Sequence, residues 1–327
     1  MSTATSALTV RKPTLWDHVR SRLVYSESYA KRRLLNAPST EQQAHVETLR
    51  RDGYVTLDQH IPVARLRALQ SDLDAAMREL EFETPCLAQS RVDPERHHEL
   101  IRNFMYGSAA QLAEWGVAFD RSEAQSYEQV VRDFNPSTLT LYMLERSEAF
   151  RQTWLDPYLL DIVTSYMGIV PKLSEAYVRR NFPAPHRTMN HYWHRDLNAP
   201  VHLLKIFFFL SDCGEENGPH DFVRASHKNL DVLNGKRYFS DDEVDCAYPP
   251  GGKDRIVSIV KAGTVVIEDT RGLHRAQLPQ AGFRDLGYAV FVPLRPFYPH
   301  RNYGFPRAAY DQLTPLQQAF IPPVMLV

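Results

Sequence analysis

The short β-rich runs in the second half of the chain constrain its fold most strongly. From Lys172 onward, runs rich in Val, Ile, Leu, Tyr and Phe alternate with turn residues such as Gly-Pro and Pro-Pro-Gly-Gly. The predicted strands are Leu173–Arg180, Leu203–Leu210, Ile256–Val260, Thr264–Glu268 and Leu286–Pro293. Because helical patterns precede these strands, we expect a mainly β fold, a barrel or sandwich with a helical buttress.

The chain is expected to form one domain behind an irregular arm at residues 1–38. The domain, 39–327, divides into a helical part at 39–170, a β core at 171–295 and a C-terminal extension at 296–327. Helices are predicted at about 41–51, after Pro62, at 147–154 and at 157–167. Polar runs and scattered aromatics make residues 84–140 a candidate lid, with a purely structural helical buttress as an equal alternative.

Composition and charge limit the classes of partner. Hydrophobic residues make up 43% of the chain, which is enough for an ample core. The formal net charge of −1 provides no overall field toward nucleic acid or an anionic membrane, so we expect neither as a partner. No apolar stretch approaches the roughly 20 residues that span a bilayer. Three widely spaced cysteines indicate a reducing compartment, and a cytoplasmic location is expected.

Two histidines and one aspartate form a candidate metal site. His194 and Asp196 belong to a His-x-Asp triplet, and positions i and i+2 of a strand face the same side. Such a triplet arises by chance in a chain of this size, but His274 follows a second apolar run that leaves a glycine turn. Two neutral imidazoles and one carboxylate can occupy one face of iron(II) and leave three positions open. We predict that these three residues bind the metal.

An arginine ten residues beyond His274 indicates a second, anionic ligand. The planar guanidinium of Arg284 offers a bidentate fork that matches a carboxylate. A 2-oxoglutarate that chelates iron through one carboxylate and its keto oxygen needs such a cation for its far carboxylate. Arg275 is a competitor, but as the neighbour of His274 it faces the other way on a strand. The alternative for Arg284 is a surface ion pair with Asp285 or another acid.

At this point the chain resembles a known family, the phytanoyl-CoA dioxygenase-like (PhyH) branch of the iron/2-oxoglutarate oxygenases. The resemblance covers residues 41 to about 295. The matching segments include Arg51-Asp-Gly-Tyr-Val55, Trp193-His-Arg-Asp196, Leu204-Lys-Ile-Phe-Phe-Phe-Leu-Ser-Asp212, Glu216-Asn-Gly-Pro219 and Gly263-Thr-Val-Val-Ile-Glu-Asp-Thr-Arg-Gly-Leu-His274. It implies a double-stranded β-helix, a jelly-roll or cupin-like core, with the metal at one mouth.

The resemblance also implies roles by matching position. His194, Asp196 and His274 correspond to the iron ligands and Arg284 to the 2-oxoglutarate anchor. Asn198 and Phe209 match positions on the cofactor side of the pocket, although a plain core residue is the better interpretation of Phe209. The chain also departs from the pattern, because Ala276 stands where a serine often helps to bind the co-substrate. Ala225 stands in a loop that commonly carries Pro-Gly.

The sequence therefore predicts an iron(II)- and 2-oxoglutarate-dependent dioxygenase that uses O2 and releases succinate and CO2. Asp196 occupies the position that a halide would need, so hydroxylation of a C–H bond is favoured over halogenation, with desaturation, epoxidation and ring formation as open alternatives. The expected substrate is a small organic molecule, such as a specialised metabolite, an amino-acid derivative or a lipid-like acid. Two alternatives are a zinc-type hydrolase or isomerase on a similar barrel and a catalytically silent binding module.

Overall fold

The computed structural model describes residues 37–85, 122–129, 138–183, 187, 189–196, 203–234, 238–293 and 304–327, with a few isolated positions between 15 and 31. The α-helices with described bounds are α1 (Thr40–Asp52), α2 (Val63–Glu79), α3 (Glu148–Trp154), α4 (Pro157–Met167), α5 (Asp241–Ala247), α6 (Arg307–Tyr310) and α7 (Pro315–Phe320). The strands are β1 (Tyr54–Leu57), β2 (Glu81–Pro85), β3 (Ser122–Ser126), β4 (Thr138–Leu141), β5 (Lys172–Asn181), β6 (Trp193–His194), β7 (Leu204–Phe209), β8 (His220–Val223), β9 (Tyr238–Phe239), β10 (Arg255–Val257), β11 (Val265–Glu268), β12 (His274–Ala276) and β13 (Arg284–Val292).

Local signals in the sequence determine where α1 begins and ends. The Ser39 hydroxyl accepts a hydrogen bond from the Gln42 N–H, and the Gln42 side chain accepts one from the Ser39 N–H, which is a capping box. Gly53 ends the helix with a φ of 78°, a left-handed conformation that favours glycine. The chain then enters β1 directly. The predicted helix, turn and strand in this segment are confirmed.

Two antiparallel sheets form the core, as the double-stranded β-helix predicts. The six-stranded sheet has the order β1-β11-β7-β13-β5-β4, and the five-stranded sheet has the order β10-β8-β12-β6-β9. Every pairing within these two sheets is antiparallel. Neighbours in each order are distant in sequence, so residues far apart along the chain meet at one place. The expected mainly β fold is therefore observed.

The alternation of side chains along β7 divides the protein into two packed layers. Ile206 and Phe208 lie in a large apolar cluster with residues of α1 to α4, on the helical side of the sheet. Phe207 and Phe209 lie in a second cluster with Phe222 of β8, between the two sheets. Successive residues of a strand face opposite sides of the sheet. One face of β7 therefore packs against the helical buttress, and the other face lines the interior between the sheets.

A close contact between α3 and β13 fixes the helical layer to the sheet. The Trp154 ring stacks on Phe208 with centroids 4.2 Å apart, and its indole N–H donates to the Tyr288 carbonyl at 2.8 Å. Gly287 lies under this ring, and a Cβ built there would be 2.3 Å from the indole. The absence of a side chain at residue 287 therefore permits the packing.

Replacing Gly287 with alanine is expected to lower the free energy of unfolding by about 1–3 kcal/mol, because overpacking forces the indole out of its position. Denaturant unfolding monitored by tryptophan fluorescence measures this loss. A smaller ring relieves the contact, so Gly287→Ala combined with Trp154→Phe should cost less than the sum of the two single changes. Strict additivity of the two losses would contradict the proposed contact.

Parts of the predicted arm and lid lie outside the described residues. Within 84–140, β2 and β3 pair with each other, and residues 86–121 and 130–137 are not described, so the choice between lid and buttress stays open. Among the described residues, no helix combines the length and the apolar surface that a membrane span requires. The division into an arm and one domain stays a prediction.

Candidate metal and co-substrate site

A cavity of about 180 Å³ lies between the two sheets. Strands β5, β7 and β13 contribute to its wall on one side, and β6, β8 and β12 contribute on the other. The wall mixes charged, aromatic and imidazole side chains, among them Glu175, Tyr177, Arg179, His194, Asp196, Lys205, Phe207, His220, Tyr238, His274, Ala276 and Tyr288. All three predicted metal ligands therefore face one cavity.

The pairing of β6 with β12 brings the predicted ligands together. His194 and His274 are direct partners in this pairing, and their ring centroids lie 4.2 Å apart. The Oδ2 atom of Asp196 lies 3.5 Å from His274 Nε2, and one ligand atom of each residue lies within 4.8 Å of the others. This spacing suits three donors on one face of a single ion.

The position of Asp196 corrects one step of the sequence argument. Alternation along a strand was expected to align it with His194, but β6 ends at His194. The Asp196 N–H instead donates to the Thr270 carbonyl at 2.9 Å, which holds the aspartate beside the turn that precedes β12. The carboxylate reaches the site because that turn, rather than the strand, orients it.

Backbone carbonyls determine which nitrogen of each histidine faces the site. His194 Nδ1 lies 2.8 Å from the Tyr192 carbonyl, and His274 Nδ1 lies 3.0 Å from the Gly272 carbonyl. Since a carbonyl only accepts hydrogen bonds, both Nδ1 atoms carry the hydrogen and both Nε2 atoms present a lone pair. Burial, together with the neighbouring His274, holds the pKa of His194 well below its usual value. His194 is therefore neutral at pH 7, as metal binding requires.

A lysine accompanies the aspartate. Lys205 Nζ lies 2.6 Å from Asp196 Oδ2 and belongs to the same cavity wall. Burial alone would raise the pKa of Asp196, but the Lys205 ammonium and the His274 ring together hold it well below its usual value. Asp196 is therefore a carboxylate at neutral pH. The sequence analysis missed Lys205, although a single charge within an apolar run was a usable signal.

Arg284 is buried and has a guanidinium that is only partly satisfied. Its side chain is on the interior face of β13, with Leu286 and Tyr288, and the residue is 0% exposed. Nη2 donates to the Asn181 amide oxygen at 3.2 Å, whereas Nε and Nη1 have no hydrogen-bond partner among the described residues. An unpaired buried guanidinium is costly, so a carboxylate is a suitable ligand for this side chain.

The alternatives for the arginine are not supported. Asp285 accepts hydrogen bonds from Arg180 Nε at 2.8 Å and Nη2 at 2.7 Å, so it does not pair with Arg284. Arg275, the other candidate anchor, donates to Asp221 at 2.8 Å and stacks over the Trp193 ring at 4.6 Å. It therefore faces away from the cavity, as its position next to His274 predicted.

The two weaker predictions have different outcomes. Asn198 lies outside the described residues, so its role stays a prediction. Phe209 is 0% exposed in the cluster between the sheets, behind the cavity wall rather than in it. This placement supports the plain core interpretation, and contact with a cofactor stays a prediction. Ala276 does line the cavity, where a serine was expected from the family pattern.

A second buried pair was not anticipated from the sequence. His220 Nε2 lies 2.9 Å from Glu268 Oε2, and Glu268 is 0% exposed. Burial raises the pKa of Glu268 to about 8, and burial with the nearby charge of Arg284 lowers the pKa of His220 to about 3. At neutral pH the carboxyl group is therefore protonated and donates to Nε2, and the neutral imidazole carries its hydrogen on Nδ1.

The core is a jelly-roll of two antiparallel sheets. Its cavity contains two histidines and one aspartate, and a buried arginine lies beyond them. This combination defines a class of enzyme. That class is the non-haem iron, 2-oxoglutarate-dependent oxygenases. The family model for phytanoyl-CoA dioxygenase (PhyH) matches residues 49–278, and the chain belongs to this family. The resemblance predicted from the sequence is confirmed.

Solved structures of similar fold include the three given below, and no curated protein matches the chain significantly. The epimerase SnoN from nogalamycin biosynthesis is 16% identical, with a TM-score of 0.47 over 77% of this chain and 82% of that one. HygX from Streptomyces hygroscopicus, with nickel, 2-oxoglutarate and hygromycin B bound, is 15% identical, with a TM-score of 0.47 over 80% and 89%. EctD from S. alaskensis, with 2-oxoglutarate and 5-hydroxyectoine, is 15% identical, with a TM-score of 0.49 over 79% and 77%.

Proposed function

We propose that this enzyme hydroxylates a C–H bond of a small organic molecule. The substrate, dioxygen and 2-oxoglutarate yield the alcohol, succinate and CO2, so that one oxygen atom enters each of the two organic products. The observation that carries this proposal is the unsatisfied guanidinium of Arg284 in the same interior as the three predicted ligands. A zinc-type hydrolase needs no anchor for a dicarboxylate, and a silent module needs neither feature.

The residues of the site have separate roles in this proposal. His194, Asp196 and His274 hold iron(II), which when bound supplies the activation of dioxygen. Arg284 binds the far carboxylate of 2-oxoglutarate through its guanidinium, in which Nε and Nη1 have no partner among the described residues. The backbone hydrogen bonds to both histidines fix the ligand atoms before the metal arrives, so little reorganisation accompanies binding.

Hydroxylation is proposed over halogenation because of Asp196. Its carboxylate occupies the third ligand position, which leaves no protein-derived vacancy for a halide. Proteins of similar fold include an epimerase and a carbocyclase, so the identity of the product distinguishes hydroxylation from these reactions. Product analysis by mass spectrometry distinguishes the gain of one oxygen atom on hydroxylation from the unchanged mass of an epimer and from the loss of two hydrogen atoms on oxidative ring closure.

The substrate class follows from the walls of the cavity. Tyr177 and Tyr238 supply aromatic surface, and Glu175 supplies a carboxylate. We propose a small polar metabolite, with a specialised metabolite or amino-acid derivative favoured over a lipid-like acid. We also propose a cytoplasmic location, because the described cysteines Cys213 and Cys246 are free thiols.

Anaerobic addition of iron(II) and 2-oxoglutarate tests the function. A weak visible charge-transfer band is expected, because a keto-acid chelate requires an open-sided iron site. Exposure to oxygen should then release CO2 from 2-oxoglutarate, slowly without substrate and faster with it. If iron binds and no band forms, the co-substrate claim is wrong and the zinc-type or silent alternative is favoured.

A further inference from the structure

His220, one member of the buried His220–Glu268 pair, lines the cavity that holds the predicted metal ligands. The His220 ring is 4.8 Å from the Phe207 ring and 5.6 Å from the His274 ring, measured between centroids. Its Nε2 is engaged by Glu268 at 2.9 Å, whereas its Nδ1 makes no hydrogen bond to a described residue. A nearly buried side chain that lines the cavity thus has one ring nitrogen without a partner among the described residues.

The strand register gives this atom a specific place. His220 and Ala276 are direct partners in the pairing of β8 with β12, so their side chains lie side by side on the interior face. Both residues line the cavity. A methyl group offers no hydrogen bond to a ligand, whereas the imidazole next to it does. The hydrogen bond that an alanine cannot make at residue 276 is available from residue 220.

The Glu268 carboxyl group has no purely structural explanation in the described residues. Its Oε1 atom is buried and has no hydrogen-bond partner among them. Burying a carboxyl group with one unsatisfied oxygen costs free energy, so we expect Glu268 to have a role other than stabilising the fold. Its hydrogen bond to Nε2 fixes the orientation of the His220 ring, and this is the role that the geometry indicates.

We propose that His220 binds 2-oxoglutarate through Nδ1 from the position beside Ala276, and that Glu268 is the positioning residue that orients its ring. This proposal rests on the proposed function, because it assigns a further contact to the same co-substrate. It identifies His220 as a binding residue outside the three metal ligands and the arginine anchor. Arg284 holds one end of 2-oxoglutarate, and His220 contacts it nearer to the metal ligands.

Three variants of residue 220 test the contact, with the dissociation constant of 2-oxoglutarate measured anaerobically from the charge-transfer band. His220→Leu should raise the constant roughly 10-fold, the effect of one lost hydrogen bond to a charged group. In His220→Asn the amide overlaps Nδ1, so binding should stay within about threefold of the unmodified enzyme. In His220→Gln the amide overlaps Nε2, so binding should be as weak as in the leucine variant.

The neighbouring residues provide an independent test. Ala276→Ser should leave 2-oxoglutarate affinity nearly unchanged in the unmodified enzyme and should restore much of it in His220→Leu, because the hydroxyl replaces the missing donor. Glu268→Leu should weaken binding when His220 is present and have little further effect in His220→Leu. Metal affinity and thermal unfolding, measured for each variant, report whether the fold and the metal site are intact.

The outcomes are separable. Equal affinities of His220→Leu and the unmodified enzyme would overturn the proposal, and so would an asparagine variant as weak as the leucine variant. If the unmodified enzyme itself shows no band, the proposed function fails and this proposal fails with it. A band in the unmodified enzyme with affinities independent of residue 220 overturns only the role of His220.

Discussion

Asp196→Ala is expected to abolish oxidation of 2-oxoglutarate, with a loss on the order of 10³-fold or more in turnover. The variant removes the single anionic ligand, and a metal contribution of several kcal/mol corresponds to a loss of this size. It also leaves the Lys205 ammonium, now 2.6 Å from its partner carboxylate oxygen, without a counterion beside two imidazoles. A cation in that position repels iron(II), so metal affinity should fall together with activity.

A second variant separates these two causes. Lys205→Met combined with Asp196→Ala removes the ammonium group that has lost its counterion. The free energy of unfolding should therefore be higher than in Asp196→Ala alone, while turnover stays lost. Asp212→Ala is a matched control, because that aspartate is exposed and its partners among the described residues are the Lys261 side chain and the Ala262 N–H. Iron binding is measured by calorimetry and turnover by CO2 release. Full coupled turnover in Asp196→Ala would refute the ligand assignment.

The long elements of this fold could be predicted because their sequence signals are local. α1 is bounded by a capping box and by Gly53, β7 and β13 are largely apolar over six and nine residues, and β5 is a ten-residue strand that mixes apolar and polar side chains. The predicted bounds of these elements agree with the structure to within one or two residues. The candidate ligand residues were predicted from their chemistry and spacing rather than from secondary structure.

The strands that carry the site could not be predicted as strands. β6 has two residues and β12 has three, which is too short for an alternating pattern to be distinguished from chance. They exist because they pair with each other and with β8 and β9, and such pairing between distant residues leaves no local signal. The same cause explains why Asp196 was assigned to a strand that ends before it.

The polar residues inside the barrel were missed for a related reason. Lys205 stands in an apolar run, and Glu268 ends another, so each was taken as part of a strand. Their function depends on partners from other strands, Asp196 for the lysine and His220 for the glutamate. Only the register of the two sheets brings these pairs together. A charged residue at an interior position of a predicted strand is therefore the signal to examine first.

Arg284→Met is expected to weaken 2-oxoglutarate binding and to stabilise the protein. Loss of a buried, bidentate contact to a carboxylate typically costs about 2–5 kcal/mol, so the dissociation constant should rise roughly 30-fold or more. In the free protein, however, the fully buried guanidinium has one hydrogen bond to an amide and no acidic partner among the described residues. Replacing it with an apolar chain of similar length should therefore raise the free energy of unfolding by about 1 kcal/mol.

The neighbouring Arg180 supplies the matched control for this prediction. It precedes Asn181 on β5, faces the other side of the sheet and donates two hydrogen bonds to the buried Asp285. Arg180→Met leaves the buried carboxylate without its cationic partner, so it should lower the free energy of unfolding by about 3–5 kcal/mol. The affinity for 2-oxoglutarate should be unchanged. Denaturant unfolding and anaerobic titration of the charge-transfer band measure the two quantities for both variants. If Arg284→Met raises the free energy of unfolding while Arg180→Met lowers it, Arg284 is present for its ligand rather than for the fold. If Arg284→Met lowers the free energy of unfolding and leaves the affinity for 2-oxoglutarate unchanged, Arg284 belongs to the fold instead.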